Sequence, residues 1–318
     1  MLTCPVYAVL FDFRAPCPQT KILIFQGTLK KVIGGNENKM AIQILTLSEN
    51  TAGMPRLISE WGISIFIEIE DQKILFDTGQ GVSAAYNANV LGINLATIDK
   101  IILSHGHFDH TGGLRQVLMG MKKEIEVIAH LDIWNAKYAK RPDSNYMYAG
   151  IPFQRSELES LGANFIYTRD AMWLNDNLVI AGEIPLANDY EEIDPGLLIK
   201  EGDQFKPDPL LDDRALIIKT ELGLVVIAGC AHRGIVNTLN YARELTGEER
   251  IHAVMGGIHL MRTSEIRMEL TIAAFREMDV QRIGVSHCTG QWASARLAQE
   301  FGDKFFFNNA GTAVSWHR

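Results

Sequence analysis

Four side chains that can bind a metal ion lie within six residues of this chain: His105, His107, Asp109 and His110. Neutral imidazole nitrogens and carboxylate oxygens are the usual protein ligands of Zn²⁺, Mn²⁺ and Fe²⁺. The segment follows a predicted strand and precedes a predicted helix. On such a turn His105 and His107 point one way, and Asp109 and His110 turn toward a second position. The spacing predicts a centre of two divalent transition-metal ions about 3.5–4 Å apart, with Zn²⁺ favoured and Mn²⁺ or Fe²⁺ as alternatives.

Three further candidates follow predicted strands in the second half of the chain. We expect His232 to complete the first metal site with His105 and His107, the alternative being a buried core histidine. Cys230 projects to the same side as His232. It is either a thiolate that binds or bridges the second metal, or a small buried hydrophobe. His259 follows a Gly-Gly pair, where it could bind metal or, as a catalytic group, donate a proton to the leaving group.

Four other residues are candidates for substrate contact. Arg233 and Arg262 carry the planar guanidinium group that binds phosphate or carboxylate, although most arginines are simply solvated. Glu183 either binds metal, faces the substrate or is an exposed loop carboxylate. Asn50, near the end of the first core strand, is a candidate for lining the pocket. The remaining histidines are expected to be structural: His130, His252 and His317.

Apolar alternation predicts the elements that position these residues. Hairpins are predicted at 63–76 and 215–228. Other strands are predicted at 100–103, 124–129, 178–181, 251–256 and 281–286, and helices at 113–121, 234–246, 265–278 and 291–300. Thr263 and Ser264 are plausible N-caps of the helix at 265–278. Hairpins mixed with crossover helices predict an α/β fold of two mixed sheets with helices on their outer faces.

Two polar stretches, 187–213 and 138–154, lack a regular pattern. Connections of such length inside a compact domain are usually lids or binding loops, so we expect both to play that part. Residues 1–39 also differ in composition from the rest, and regular alternation begins just after Met40. Either Met40 is the natural start, with 1–39 a dispensable extension of a domain at 40–318, or residues 22–25 form an ordinary edge strand followed by a loop.

The bulk composition narrows the class of protein. A formal net charge of −8 argues against a non-specific nucleic-acid binder, which needs a basic surface. The four cysteines are few and unevenly spaced over 318 residues, which favours a reducing compartment over a disulfide framework. We find no signal-peptide pattern and no run of about 18 uncharged apolar residues. We therefore expect a cytoplasmic protein with a small anionic substrate and neither a nucleic-acid nor a membrane partner.

The segment 104–110 resembles the signature of the metallo-β-lactamase superfamily, and Asp77-Thr78-Gly79 resembles the Asp-Thr-Gly motif at the end of one of its strands. The resemblance implies a four-layer αββα sandwich. It also implies that Asp77 orients a metal ligand from behind it, and that His287 binds the second metal. The matched motifs run from about residue 44 to residue 287.

Departures from the common pattern point to a branch of that superfamily. Residues 182–186 are Gly-Glu-Ile-Pro-Leu, where many members have Gly-His-Thr-Pro-Gly, and residues 229–234 stand where many have a bridging Asp. The chain is similar to the dihydropteroate synthase-like branch, which includes 7,8-dihydropterin-6-yl-methyl-4-(β-D-ribofuranosyl)aminobenzene 5'-phosphate synthase-like proteins. This similarity implies a pterin or phosphoribosyl-type substrate.

Together these features predict a metal-dependent hydrolase in which Asp109 is catalytic and metal-bound hydroxide attacks the substrate. The alternatives are a phosphodiesterase or lactonase on the same scaffold, or an inactive metal-containing binding module. Retention of Asp109 argues against an inactive module.

Overall fold

The computed structural model describes residues 20–24 and 41–317, which form two large mixed sheets and one small sheet. The first large sheet has eight strands: β1 (Thr20–Ile24), β2 (Ala41–Ser48), β3 (Ser64–Ile69), β4 (Gln72–Phe76), β5 (Lys100–Ile102), β6 (Ile125–Ala129), β9 (Ala163–Tyr167) and β19 (Thr312–His317). Their order is β1-β19-β2-β3-β4-β5-β6-β9. The predicted hairpin at 63–76 is the antiparallel pair β3–β4, and β4, β5, β6 and β9 run parallel.

The second large sheet has seven strands and a similar division. Its strands are β10 (Met172–Asn175), β11 (Leu178–Ile180), β14 (Ala215–Thr220), β15 (Gly223–Ala228), β16 (Ile251–Gly257), β17 (Arg282–Ser286) and β18 (Phe305–Phe307), in that order across the sheet. The predicted hairpin at 215–228 is the antiparallel pair β14–β15, whereas β15 to β18 run parallel. Each large sheet therefore has a parallel half in which several strands end at the same edge.

Three apolar layers hold the molecule together. The middle layer packs one sheet on the other, with Phe76 and Ile102 from the first and Leu216 and Met255 from the second. The outer layers pack helices on each sheet. The helices are α1 (Ser83–Leu91), α2 (Phe108–Thr111), α3 (Leu114–Met121), α4 (Arg155–Ser160), α5 (Ile235–Thr246), α6 (Glu265–Glu277) and α7 (Gln291–Phe301). This arrangement confirms the predicted αββα sandwich.

The prediction of irregular structure at 138–154 and 187–213 was wrong for part of each stretch, and their role as lids or binding loops stays a prediction. Both stretches contribute strands to the small sheet: β7 (Lys137–Lys140), β8 (Tyr146–Tyr148), β12 (Leu197–Glu201) and β13 (Gln204–Pro207), in the order β13-β12-β7-β8. Each strand is short and half exposed, so it lacks the apolar run of a core strand. The two stretches stabilise each other, because β7 pairs with β12 and the Tyr146 ring stacks on Phe205 with centroids 4.0 Å apart.

The N-terminal region is described only at β1, which pairs antiparallel with β19 at the edge of the first sheet. The rest of 1–39 lies outside the described residues, and its dispensability stays a prediction. Within the described ranges, no helix combines the length and apolar character that crossing a membrane requires.

Candidate metal centre

The predicted metal ligands meet where parallel strands of both sheets end. Asp77 follows β4, and the segment 104–110 follows β5. From the second sheet, Cys230 and His232 follow β15, His259 follows β16 and His287 follows β17. Because the carboxyl ends of parallel strands lie at one edge of a sheet, each sheet delivers its polar residues to the same place. Four residues there adopt the left-handed backbone conformation, which sets the direction of their side chains. Their φ angles lie between 47° and 57°: Asp77, Ala231, His259 and His287.

Three imidazole nitrogens converge at the first position. His105 Nε2 lies 2.9 Å from His107 Nδ1 and 3.2 Å from His232 Nε2. Nitrogens bound to one tetrahedral Zn²⁺ at 2.0–2.1 Å would lie about 3.3 Å apart, so the spacing fits a shared cation. The His105 tautomer also fits. The Ser104 hydroxyl donates to Asp77 and accepts from His105 Nδ1, which leaves the Nε2 lone pair free to face the other two rings.

The second position is formed by Asp109, His110 and His287, whose ligand atoms all lie within 4.8 Å of one another. Asp109 Oδ2 lies 3.1 Å from His287 Nε2, and Asp109 Oδ1 lies 4.0 Å from His110 Nε2. Cys230 Sγ lies 3.1 Å from His110 Nε2 and also groups with His105 within 4.8 Å. Its thiol therefore lies beside both positions, where it could serve as a ligand or bridge.

Asp77 occupies the supporting place that the sequence resemblance implied. One carboxylate oxygen accepts from the Ser104 backbone N–H at 2.7 Å, and the other accepts from His110 Nδ1 at 2.7 Å. His110 Nε2 is thereby turned toward the second position. The following residue, Thr78, also holds the segment, because its backbone N–H and hydroxyl both donate to the His110 carbonyl. Gly113 allows this close approach, since a Cβ there would lie 1.9 Å from the Thr78 carbonyl oxygen.

Asn50, predicted to line the substrate pocket, contacts the candidate ligand His287. Its Oδ1 accepts from the Gly62 N–H at 3.0 Å and lies 3.1 Å from His287 Nδ1. The contact directs His287 Nε2 toward Asp109. The Trp61 ring meets the His287 ring edge-on with centroids 5.0 Å apart, which adds a second restraint. Metal-binding histidines are commonly oriented by such contacts to their other ring nitrogen.

The two positions differ in protonation. Burial and repulsion from His110 lower the pKa of His105 well below its usual value, and burial lowers the pKa of His107 to about 3. Burial and repulsion from His259 likewise lower the pKa of His232. Burial opposes charge on His110, but the carboxylates of Asp77 and Asp109 raise its pKa to about 9. The first position thus presents neutral imidazoles, and the second has a carboxylate facing a histidine that attracts a proton.

Two of the predicted substrate-binding residues, Arg233 and Glu183, have partners within the protein. Arg233 is buried, and its guanidinium donates to the carbonyls of Ile184 and Pro209, so it connects two loops, and its role in binding an anion stays a prediction. The Glu183 carboxylate lies 3.2 Å from His130 Nε2, outside both metal positions. His130 Nδ1 accepts from the Asp132 N–H, so the proton on Nε2 is directed to Glu183.

The other two candidates, Arg262 and His259, stay candidates for contact with the substrate. Arg262 is exposed in the turn after β16 and stays a candidate for binding an anion. His259 lies beside the first position, with ring centroids 4.2 Å from His232 and its ligand nitrogen within 4.8 Å of Cys230 and His232. Its Nδ1 has no hydrogen-bond partner among the described residues.

Sequence reasoning missed a buried ion network under the metal segment. Lys137 Nζ lies 2.8 Å from both Asp208 and Asp212, and Asp212 accepts from the Gly106 N–H at 2.8 Å. All three charged side chains are buried. The repeated aspartates of 208–213 were a signal, but the stretch was interpreted as a lid. Cys288, which groups with Cys230 and His287, was also missed because it follows a histidine that already had a role.

This fold and this centre define a class of protein. The chain belongs to the metallo-beta-lactamase superfamily, whose sequence profile matches residues 63–243. It is 35% identical over 289 residues to the 7,8-dihydropterin-6-methyl-4-(beta-D-ribofuranosyl)-aminobenzene-5'-phosphate synthase of Methanocaldococcus jannaschii, a match that covers 86% of this chain and 97% of that protein. The branch predicted from the sequence is therefore confirmed.

Two further comparisons show the range of the superfamily. A solved structure described as a metal-dependent hydrolase of the beta-lactamase superfamily has a TM-score of 0.74 and 28% identity, covering 86% of this chain and 98% of that one. A ribonuclease Z of Clostridium botulinum is 28% identical over 156 residues, which are 43% of this chain and 45% of that enzyme.

Proposed function

We propose that this chain is an enzyme that holds two divalent transition-metal ions and acts on a small anionic substrate of the pterin or phosphoribosyl type. The proposed reaction is hydrolysis or a related metal-assisted cleavage. The observation that carries the proposal is the convergence of His105, His107 and His232 beside Asp109, His110 and His287. The name of the M. jannaschii relative, which contains pterin, ribofuranosyl and phosphate groups, supports the substrate class.

The donor set fits borderline divalent ions. Five imidazoles, one carboxylate and one thiol are the ligands that Zn²⁺ takes, and Mn²⁺ or Fe²⁺ accept the imidazoles and carboxylate. When bound, such ions polarise a substrate oxygen and lower the pKa of a water molecule. An ion at the first position would be held by His105, His107 and His232, and one at the second by Asp109, His110 and His287.

The protein's own contribution includes moving protons. Burial opposes ionisation of Asp109, but His110 and His287 lower its pKa, so its carboxylate stays ionised and available as a metal ligand or hydrogen-bond acceptor. On the other side, His259 is the proposed proton donor to the leaving group. Its pKa is raised, because its contact with Cys288 outweighs burial, and its unpartnered Nδ1 can take or give a proton.

Metal analysis of protein purified without chelator tests this proposal first. We expect close to two transition-metal ions per chain. Chelation should lower both the melting temperature and turnover, since ligands that bind only the folded state stabilise it. Reloading with Zn²⁺ or Mn²⁺ should restore both, whereas Ca²⁺, which prefers oxygen ligands, serves as the matched control. Full activity and stability after complete metal removal would refute the proposal.

A substrate panel then separates the reaction types. It should contain phosphomonoesters, phosphodiesters, lactones, and a reduced pterin offered with and without an aminobenzene ribofuranosyl phosphate. The relative's name favours a second candidate, in which the same centre synthesises a pterin–aminobenzene compound. Product formation only when both partners are present would favour synthesis, and release of a fragment from a single substrate would favour hydrolysis.

A further inference from the structure

We infer that the second metal position has an alternative, sulfur-rich ligand set made of Cys230, Cys288 and His287, which selects softer metal ions than Asp109, His110 and His287 do. The inference rests on the proposed function, because it concerns the same centre. The ligand atoms of Cys230, His287 and Cys288 all lie within 4.8 Å of one another, and all three residues are buried. His287 belongs to both sets, so a small displacement of an ion would exchange one set for the other.

The backbone explains how two consecutive residues can face one centre. In an extended strand, successive side chains point to opposite sides. His287 departs from this pattern: it begins the 3₁₀ turn His287–Thr289 with φ 52°, a left-handed conformation that is costly for a residue with a side chain. Such strain persists only where the surroundings enforce it, and it is common at functional sites.

The neighbouring strand leaves space for the second sulfur. Gly257 ends β16 beside it, and a Cβ at this position would lie 2.7 Å from Cys288 Sγ and 2.3 Å from the Gly229 carbonyl oxygen. Any other residue would therefore displace the thiol or the strand. Cys288 Sγ lies 3.6 Å from the Cys230 carbonyl oxygen, a weak contact for a thiol donor. Neither cysteine is in a disulfide.

The chemistry of the two sets differs in a way that metals distinguish. Thiolates favour ions such as Zn²⁺ and Cd²⁺, whereas carboxylates favour harder ions such as Mn²⁺. With Asp109 and His110 on one side and two sulfurs on the other, the second position offers a choice between a carboxylate set and a two-sulfur set, whereas the first position has one neighbouring sulfur, Cys230, and no carboxylate. The metal supplied would thus decide whether the Asp109 carboxylate is a ligand or is free to accept a proton.

Cobalt(II) loading tests the inference without relying on turnover, because thiolate-to-cobalt charge transfer absorbs in the near ultraviolet. All variants should be made in a background where Cys4 and Cys17 are serine, so that only Cys230 and Cys288 can contribute. We expect the parent to show the intensity of two thiolates and Cys288→Ser that of one. The double variant with Cys230→Ser should show none, while its metal content stays at two ions per chain.

The outcomes distinguish this inference from the proposed function. An unchanged band in Cys288→Ser, with two ions bound, overturns the sulfur set and leaves the metal enzyme standing. A protein that binds no transition metal in any arm overturns both. If Cys288→Ser does not fold, X-ray absorption of the zinc-loaded parent counts sulfur neighbours at about 2.3 Å directly. Cys288→Ser should also lower the affinity for Cd²⁺ at least about tenfold more than the affinity for Mn²⁺. A loss of about tenfold is the lower end of the range seen when a residue beside a metal site is replaced.

Discussion

The two candidate metal positions lie side by side, but the charge and protonation of their ligand side chains differ. The first consists of three neutral imidazoles, His105, His107 and His232, whose pKa values are all lowered by burial. The second places the Asp109 carboxylate against His110, whose pKa is raised to about 9 by Asp77 and Asp109. A metal ion entering the first position meets little competition from protons, whereas one entering the second must displace a proton.

If metal ions bind at both positions as proposed, this difference predicts a different role for each ion. A site of neutral, fixed imidazoles suits an ion that stays bound and orients substrate. A site with a carboxylate, a histidine that attracts a proton and a nearby thiol suits proton transfer and exchange of ligands. The supports differ as well: Ser104 contacts His105 in the first position, whereas Asp77 contacts His110 and Asn50 and Trp61 contact His287 in the second. Variants of individual residues can therefore disturb one position at a time.

The largest effect is expected from His105→Ala, which removes the nitrogen shared by both short contacts of the first position. Metal content should fall from two ions per chain to one. Turnover should fall about a thousandfold or more, which corresponds to the several kcal/mol that a metal ion supplies to a transition state. Metal analysis and steady-state kinetics on any identified substrate measure both changes.

A matched control for this change is His252→Ala on β16. That imidazole is also buried, but it packs edge-on against Trp316, away from the metal positions. It should lose stability and keep two ions. If His105→Ala retained two ions and normal turnover, the first position as described here would not exist.

The next effect is expected from Asp109→Asn, which keeps the size of the side chain and removes its charge. Turnover should fall at least about a hundredfold, the lower range for loss of a positioned acid–base group. Folding should change little, because the histidines of the first position still hold one ion. Turnover within about threefold of the parent would refute the role, since that is far below the loss expected for such a group. A collapse of folding would instead identify Asp109 as a structural anchor, and Glu183 or His259 would become the candidate proton acceptor.

A smaller effect, confined to the second position, is expected from Asn50→Ala. This change removes the acceptor that orients His287 Nδ1. The affinity for the second ion should fall about 10–100-fold, the usual loss when a ligand's outer partner is removed. Affinity for the first ion should not change. Metal titration followed by calorimetry would show the two steps separately, and equal weakening of both steps would contradict the separate supports proposed for each position.

The sequence predicted most of the fold and the local part of the centre. His105, His107, Asp109 and His110 lie within one turn, so their spacing alone indicates their use. His232 is 127 residues from His105 and yet was placed correctly beside it, because both follow strands that end at a common edge. Strand and helix positions were also close, since long apolar patterns dominate local structure.

Orientation and polar pairing were not available from the sequence. Arg233 adjoins His232, a proposed metal ligand, but its side chain donates to two backbone carbonyls, of Ile184 and Pro209, in loops that are distant in the sequence. The small sheet escaped prediction because its strands are short and polar and stabilise one another only after the chain has brought them together. Lys137 was missed for the same reason, since its burial depends on two aspartates more than 70 residues away.

The smallest effect is expected from deletion of residues 1–39, which should leave both metal positions intact. Of this region the structure describes only the edge strand β1, which is separated from β4 by β19, β2 and β3. We expect two ions per chain and unchanged turnover. The melting temperature should fall slightly, by about 2–4 °C for each kcal/mol lost with the β1 pairing.

A second deletion of residues 1–19, which keeps β1, is the matched control. If the longer deletion is insoluble and the shorter one is not, β1 is needed to cover the exposed edge of β19, and the domain begins before Met40. If both are insoluble, residues before β1 also belong to the folded unit, and Met40 is excluded as a sufficient start.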